Sequence, residues 1–514
     1  MHHAATATSL LSGHDRSLFV RRLVGALSML LLAPYVMAST AAGAPRGQEE
    51  TQEVNARIAQ VEQTLLTPIV VKDAPIQAMR LSERMAFHKV PAVSIAVIND
   101  GRLEWARAYG VLDTSKHTPA EATSLFQAGS ISKSVSAMAA LRLVEQGKLS
   151  LDVDANTQLR SWQVPANQFT RQSPVTLRRL LNHSAGMTVH GFHGYARDKP
   201  VPSLLQVLDG QAPANSAPVR VESTPGSTWK YSGGGYSVAQ LMMIEAGKQP
   251  FPELLQALVL DPLEMHDSTF ALRLPAASQA RAATAYHSDG AAVVGNWHLY
   301  PESAAASLWT TPADLARFVI DIQHAQGGAS GKVLSSAMTS TMLRPELGDY
   351  GLGLFINKVG EGIRFGHSGG TDGFRAQFYG YTKTGQGVVV MTNSDNGGSL
   401  IDEIVASVAT VYGWPDLKPV EKAAIAADPA ANAAVAGAYQ LLGTPAHVTA
   451  EGDRLYFQSD LFGAARMELL AQSKSRFFMT ASDMSVDFQL GTDNKASGFS
   501  LQRGGSTYEA TRQE

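Results

Sequence analysis

Residues 128–147 read AGSISKSVSAMAALRLVEQG, and the fold turns on how this stretch is interpreted. Ala137, Ala140, Leu141 and Val144 fall at i, i+3, i+4 and i+7, the spacing of one face of an amphipathic helix, with Arg142, Glu145 and Gln146 on another face. Gly147 supplies the stop. Ser130 and Lys133 then lie one turn apart on one face, close enough for the amine to reach the hydroxyl. A serine hydroxyl is a poor nucleophile until a base takes its proton, and a solvated lysine, with a pKa of about 10.4, is already protonated. A working pair needs burial or a second cation to lower the lysine, and a phenol to share the proton. Two stretches offer the remaining groups: STWKYSGGGYS (227–237) with Tyr231, and RFGHSGGTDGF (364–374) with His367. Each residue alone has a plainer reading: Ser130 as an N-cap, Tyr231 as a core-edge tyrosine, His367 as a loop brace.

The chain has 514 residues, enough for two or three domains, with 45% hydrophobic and 17% charged residues, a globular composition. A net charge of −3 without any Lys/Arg block excludes a nucleic-acid partner. Arg16, Arg21 and Arg22 precede LVGALSMLLLAPYVMA, an apolar run short for a membrane span, and small residues follow at Ala38 and Ala42-Gly43-Ala44. Residues 1–44 are therefore expected to be an export signal removed on maturation; the alternative is an uncleaved anchor. Cysteine is absent, which excludes disulfides and a thiol nucleophile. The expected setting is the bacterial periplasm or the medium, with no stable membrane span after signal cleavage.

After a helix expected over 53–65, AVSIAVINDGRLEWARAYG forms two alternating runs joined at Asn99-Asp100-Gly101, a hairpin signal. A helical, loop-rich middle runs to about residue 318 and contains TTPADLARFVI, where Thr311, Pro312 and Asp314 fit N-cap, N1 and N3. Strand patterning returns in FRAQFYGY and GVVVMTNSD, separated by a hairpin loop at 382–386. Strands at both ends of a region with helices between predict an α+β fold, one antiparallel sheet built from both ends and flanked by helices. DLKPVEKAAIAADPAANAAVAGAY (416–439) reads as a linker or short helix, and the alternating segments beyond it as a small all-β barrel or sandwich. The expected domains are 45–418, catalytic, and 430–514, β, the latter without a nucleophile–base set.

FQAGSISK (126–133) resembles the nucleophile motif of the serine β-lactamase and penicillin-binding-protein superfamily, in its class C β-lactamase-related peptidase and esterase branch. LLNHSAGM (180–187), PGSTWKYSGGGY (225–236) and FGHSGGTDGF (365–374) are similar to that branch in order and spacing. The resemblance covers about residues 75–412. It implies a β-lactamase-like fold, a C-terminal domain that is barrel or lipocalin-like, and an acyl-enzyme on Ser130 without cofactor or metal. Lys133 and Tyr231 would be the proton-transfer set, with the base left open between them, and His367 would take the Lys/His place of the Lys/His-x-Gly motif. Backbone N–H groups of Ser130 and Gly370 would form the oxyanion hole, and Gly369 and Gly233 would contact substrate.

Two decoys need separating. Ser227 and Lys230 repeat Ser-x-x-Lys without an amphipathic helix behind them, and Lys383-Thr384-Gly385 falls in the hairpin loop. His183, His190 and His193 lack nearby carboxylate or thiolate partners for a metal. Two departures argue against a dedicated β-lactamase. Tyr231-Ser232-Gly233 lacks the asparagine of Tyr-x-Asn, and His367 supplies no permanent cation for a lactam carboxylate. The expected function is hydrolysis of peptides, including ones with D-residues or unusual linkages, or of carboxylic esters. The alternatives are a class C type β-lactamase and an acylatable penicillin-binding sensor with slow turnover. The partner is a small-molecule or peptide substrate; oligomeric state is not readable.

Overall fold

Alternation in residues 92–99 sends Val93, Ile95 and Val97 to one face of a strand and Ala92, Ala96 and Ile98 to the other, and both faces are buried. The architecture follows from covering both. It is seen in a computed structural model that describes residues 46–75, 77–462, 466–492, 494–503 and 506–513. The expected export signal, 1–44, lies outside the described residues.

Helix α1 (Arg46–Gln63) is followed by strands β1 (Ala92–Asn99), β2 (Arg102–Asp113) and β3 (Thr118–Pro119). Helix α2 (Ser132–Glu145) opens the helical middle, which includes α3 (Gly233–Gly247) and α4 (Pro312–Gln326). Strands β4 (Phe355–Val359), β5 (Gly362–Thr371), β6 (Phe374–Tyr381) and β7 (Gly387–Thr392) come next, then α5 (Gly397–Val411). They form one seven-stranded antiparallel sheet in the order β3-β2-β1-β7-β6-β5-β4. β1 pairs with β7, Ala96 opposite Val389, so the two ends of the region meet at the centre of the sheet. The β1–β2 turn has Asp100 at φ 50° and Gly101 at φ 67°, the left-handed pair that a two-residue hairpin with right-handed twist requires.

On one face Val93, Ile95, Val97, Val388 and Val390 pack against Ile58 and Val61 of α1 and Leu400, Ile404 and Val408 of α5. On the other, Ala92, Ala96, Ile98, Val389 and Met391 join the core of the helical middle. Thr311 caps α4 as expected, its hydroxyl accepting from the Asp314 N–H at 3.2 Å with Pro312 at the first position. No helix among the described residues is long and apolar enough to cross a membrane.

Helix α2 keeps Arg142, Glu145 and Gln146 on its less buried side as expected, but it is enclosed further than an amphipathic face requires: every residue from Ser132 to Leu141 is buried. Its serines and alanines are small enough to be enclosed, and two of the hydroxyls bond to backbone, Ser134 donating to the Gly353 carbonyl at 2.6 Å and Ser132 accepting from the Leu308 N–H at 3.0 Å. The stretch read as a linker or short helix contains the helix, at Pro429–Val435, and its first part is paired rather than free. Val420–Lys422 runs parallel to Ile69–Val71 as a two-stranded sheet. Beyond a short helix (Pro429–Val435), eight strands from β8 (Gly437–Leu441) to β15 (Ser506–Arg512) close an antiparallel barrel around Tyr439, Phe457, Phe477, Phe488 and Phe499. The barrel is tied to the rest through Ile69 N–H to the Thr480 carbonyl (3.3 Å) and Lys422 to Asp483 (3.0 Å).

Candidate active site

Ser130 stands in a short 3₁₀ turn, Gly129–Ile131, that leads into α2. The register expected from sequence brings Lys133 back onto it: Nζ donates to Ser130 Oγ at 3.0 Å and to the Ala305 carbonyl at 2.9 Å. Lys133 is buried, and among the described residues no carboxylate pairs with it. Its charge has only the ring faces of Tyr231 and Tyr236, 5.0 and 5.7 Å from Nζ, as further support. Burial lowers its pKa to about 7. Tyr231 moves the other way: burial raises its phenol well above the ordinary value, and a side-chain contact with Ser130 offsets part of the rise. A neutral amine and a protonated phenol therefore coexist beside the hydroxyl near neutral pH.

His367, on β5, is buried behind Tyr231, ring centroids 6.2 Å apart. Its Nδ1 lies 2.5 Å from the Ser368 carbonyl, which must accept; the hydrogen-bond network therefore assigns the proton to Nδ1 and makes Nε2 the acceptor from the Tyr350 hydroxyl at 3.0 Å. Burial first, and then Lys133, depress His367 to about 3, so the ring is neutral. His183 completes this aromatic wall, 4.2 Å from the Tyr231 ring and 4.8 Å from Tyr350, its Nδ1 accepting from the Ser232 N–H at 3.1 Å. His190 donates its Nδ1–H to the Tyr231 carbonyl, 2.5 Å away, and so fixes the backbone of the phenol. Tyr350 and the Ala305 carbonyl went unseen in the sequence. Tyr350 belongs to no periodic element, and any residue type offers a carbonyl.

The glycines divide into separate roles. A β-carbon on Gly129, itself at φ +52°, would stand 2.6 Å from the Gly370 nitrogen, so the serine turn and β5 meet backbone to backbone. β4 stops pairing with β5 at Gly366, which leaves the following edge open to that turn. Gly370 is exposed there. Gly369, read from sequence as a substrate contact, is buried: a β-carbon would lie 1.9 Å from the Ala128 carbonyl, and its function is close approach. Gly233, the other expected substrate contact, is buried. It begins α3 beneath Phe192, whose Cε2 lies 2.8 Å from where a side chain would begin. Phe192 occupies the space an asparagine would need.

The decoys are separate from this centre. Ser227 is exposed and donates to the Thr224 carbonyl at 2.7 Å, while Lys230 pairs with Glu222. Lys383 is 69% exposed in the β6–β7 turn, facing Glu361. His183, His190 and His193 do not converge as ligands; among the described residues the histidine–carboxylate group that does is His287 with Asp372 and Asp395, where Arg375 already pairs with Asp395 at 2.9 Å. Glu302, just ahead of the Ser303–Ala306 turn that holds Lys133, is wholly buried without a well-formed hydrogen bond to either oxygen. Burial raises its carboxyl to about 7, and nearby Tyr195 pulls it partly back.

A nucleophile turn abutting a sheet edge, with a buried lysine and a phenol behind it, defines an acyl-transferring serine enzyme of the β-lactamase class. The Beta-lactamase family model matches residues 79–409, and the chain belongs to that family. It is similar to penicillin-binding protein 4* of Bacillus subtilis (strain 168), 25% identical over 447 residues, 82% of this chain and 94% of the relative. It also resembles esterase EstB of Burkholderia gladioli, 30% identical over 210 residues, 39% of this chain and 51% of that one. Its fold is similar to that of the octameric penicillin-binding protein homologue from Pyrococcus abyssi, with a TM-score of 0.58 at 22% identity, covering 84% of this chain and 98% of the other. The chain is a serine hydrolase of this superfamily.

Proposed function

We propose that the protein is an exported hydrolase that cleaves peptides, including ones with D-residues or unusual linkages, or carboxylic esters, through an acyl-enzyme on Ser130. The contact that carries this reading is Lys133 Nζ to Ser130 Oγ, 3.0 Å, on a lysine whose pKa is about 7. The neutral amine takes the proton as Oγ attacks the carbonyl carbon. The carbonyl oxygen gathers negative charge against the N–H groups of Ser130 and Gly370, each worth about 3 to 4 kcal/mol in such a role. Collapse expels the leaving alkoxide or amide nitrogen, which receives the proton through Tyr231, the phenol kept protonated by burial. Water then attacks the ester carbonyl on Ser130, giving one proton to the same pair, which returns it to the departing Ser130 Oγ as the acid is released. His367 positions Tyr231 and Tyr350 rather than exchanging protons.

A neutral His367 offers no charge to a lactam carboxylate, and Phe192 stands where the lactam-binding asparagine would be, which favours peptides and esters over a β-lactamase role. A panel of D- and L-peptides, p-nitrophenyl esters and a chromogenic cephalosporin tests this. Turnover of peptides or esters with slow or absent cephalosporin hydrolysis is expected, and Ser130→Ala is expected to lose both turnover and fluorophosphonate labelling while Ser227→Ala keeps them. Rapid cephalosporin turnover would install the β-lactamase instead, and a stable acyl adduct without release the penicillin-binding sensor. Export rests on residues 1–44; a mature periplasmic or secreted form beginning near residue 39 or 45 is the expected product.

A further inference from the structure

Tyr231 lies in the irregular stretch just ahead of α3, and the backbone on both sides of it is anchored to one histidine. The His183 carbonyl accepts the Lys230 N–H at 2.8 Å, and the His183 ring accepts the Ser232 N–H at Nδ1, 3.1 Å away. The same ring lies against the phenol, centroids 4.2 Å apart. His183 is an expensive way to hold two N–H groups that carbonyls or water satisfy in most loops. Its backbone is left-handed, at φ 60°, a conformation disfavoured for a residue with a side chain. Because Nδ1 accepts, the ring proton sits on Nε2, and that buried N–H has no acceptor among the described residues. The rings of Trp229, Tyr236 and Tyr350 enclose it instead. Burial, and secondarily Lys133 and His367, hold its pKa well below the ordinary histidine value, so the Nδ1 lone pair stays available. Left-handed backbone and an orphaned buried donor thus fall on the one residue packed against the phenol, and such costs concentrate where a geometry has to be fixed.

We propose that His183 is a positioning residue for the general acid: with His190 it clamps the Tyr231–Ser232 peptide, so that the phenol O–H stays aimed at the leaving group. His183 holds the N–H of this peptide and exposed His190 holds its carbonyl, at 2.5 Å. The claim rests on the hydrolase reading above, which makes Tyr231 the proton donor to the leaving group. No proton passes through His183; its ring is an acceptor of fixed position. A misplaced phenol slows only those reactions whose leaving group needs its proton.

The test compares kcat/KM for the ethyl and p-nitrophenyl esters of one N-acetyl amino acid. The two share an acyl group, but ethoxide leaves slowly without a proton and p-nitrophenolate leaves without one. His183→Gly removes the acceptor and tolerates the left-handed backbone; His183→Asn tolerates it too and keeps an acceptor oxygen near the place of Nδ1. His183→Gly is expected to lose about 30- to 300-fold on the ethyl ester and less than about 5-fold on the p-nitrophenyl ester. His183→Asn is expected to recover about tenfold of the larger loss, and the pH limb of Lys133 to stay near 7 in both. His190→Ala, at an exposed position, should show the same selectivity at about 3- to 30-fold, and it decides alone if the His183 variants fail to fold. Equal losses on the two esters, or no advantage of Asn over Gly, would overturn the proposal. Wild type inert toward both esters would overturn the hydrolase reading and the clamp with it. Fluorophosphonate labelling, which expels fluoride and needs no acid, is expected to persist in every folded variant; its loss would place the damage at Ser130 and Lys133 and refute a role confined to the phenol.

Discussion

Lys133 meets Ser130 through a 3.0 Å contact inside the protein, with ring faces and a carbonyl around the amine in place of a carboxylate. Burial therefore sets its pKa, and the sign of the pH dependence follows. With a value of about 7, the amine is protonated and unable to accept below that pH. Ester kcat/KM is expected to rise about tenfold per pH unit up to roughly 7 and then level off, with no second limb from His367, which stays neutral throughout. Stability moves the same way. Between about 7 and 10.5 the unfolded chain holds a proton that the folded Lys133 has lost, so the burial penalty is fully present below 7 and is relieved as pH rises through that window. Denaturant titrations of Lys133→Met against wild type should show the variant's relative stability falling as pH goes from 6 to 10. A pH-independent difference would place the shifted group elsewhere.

His367 and Lys383 compete for the place of the family's Lys/His-x-Gly residue, and the structure separates them by burial. His367→Ala leaves the Tyr350 hydroxyl without its acceptor and opens space behind Tyr231. We expect kcat/KM to fall roughly 10- to 1,000-fold. The pH limb from Lys133 should remain near 7, since a positioning residue changes geometry more than it changes the base. Lys383→Ala, on an exposed turn, should change the rate by less than about 2-fold. Steady-state kinetics of both variants on a small ester decide the ranking.

Much of this site was readable because local chemistry fixes it. Asp100-Gly101 names its turn, Thr311-Pro312 starts its helix, and the alternation in 92–99 marks a strand with two apolar faces. What escaped was settled by partners distant in sequence. The serines and alanines of α2 look compatible with a solvated face, yet they are the small residues that let Gly353 and Leu308 close over the helix. Residues 416–439 have linker composition, but nothing within them announces Ile69–Val71 as a pairing partner. Gly369 and Gly370 are the same letter twice; only the Ala128 carbonyl tells packing from opening. Phe192 lies in an irregular loop and Ala305 in the helical turn Ser303–Ala306; the sequence points to both stretches as pocket-forming, but not to the contacts these two residues make with Gly233 and Lys133.

Phe192 makes the missing asparagine testable. Gly233→Asn alone places a β-carbon 2.8 Å from the Phe192 ring and should lower stability and kcat/KM. Combining it with Phe192→Ala removes the ring contact and leaves only the His190 carbonyl, 3.3 Å from the new β-carbon. The double variant should recover folding, by thermal melt, and acylate with a penicillin faster than wild type, followed by mass spectrometry of the adduct. Additive losses in the two single variants would mean that the ring and the glycine are not coupled.

Gly369→Ala is the most economical probe of how the sheet positions the nucleophile. The position is buried on β5 within an extended backbone that alanine adopts without strain, so any effect comes from contact. The added carbon would sit 1.9 Å from the Ala128 carbonyl, which belongs to the backbone and cannot rotate away. Relief requires β5 and the serine turn to separate by about 1 to 1.5 Å, if ordinary contact distances are to be restored. That separation carries Gly370 away from Ser130, since Gly129 and Gly370 already touch backbone to backbone. An oxyanion donor displaced this far contributes little, and kcat should fall about 100- to 1,000-fold. KM should change far less, because ground-state contacts with the substrate do not depend on the developing charge. The Lys133–Ser130 contact lies within α2 and its preceding turn, so the pH limb should persist. Loss of kcat with an intact limb near pH 7 supports two backbone donors held together by Gly369. An alanine variant with full kcat would show that Gly370 does not serve the oxyanion.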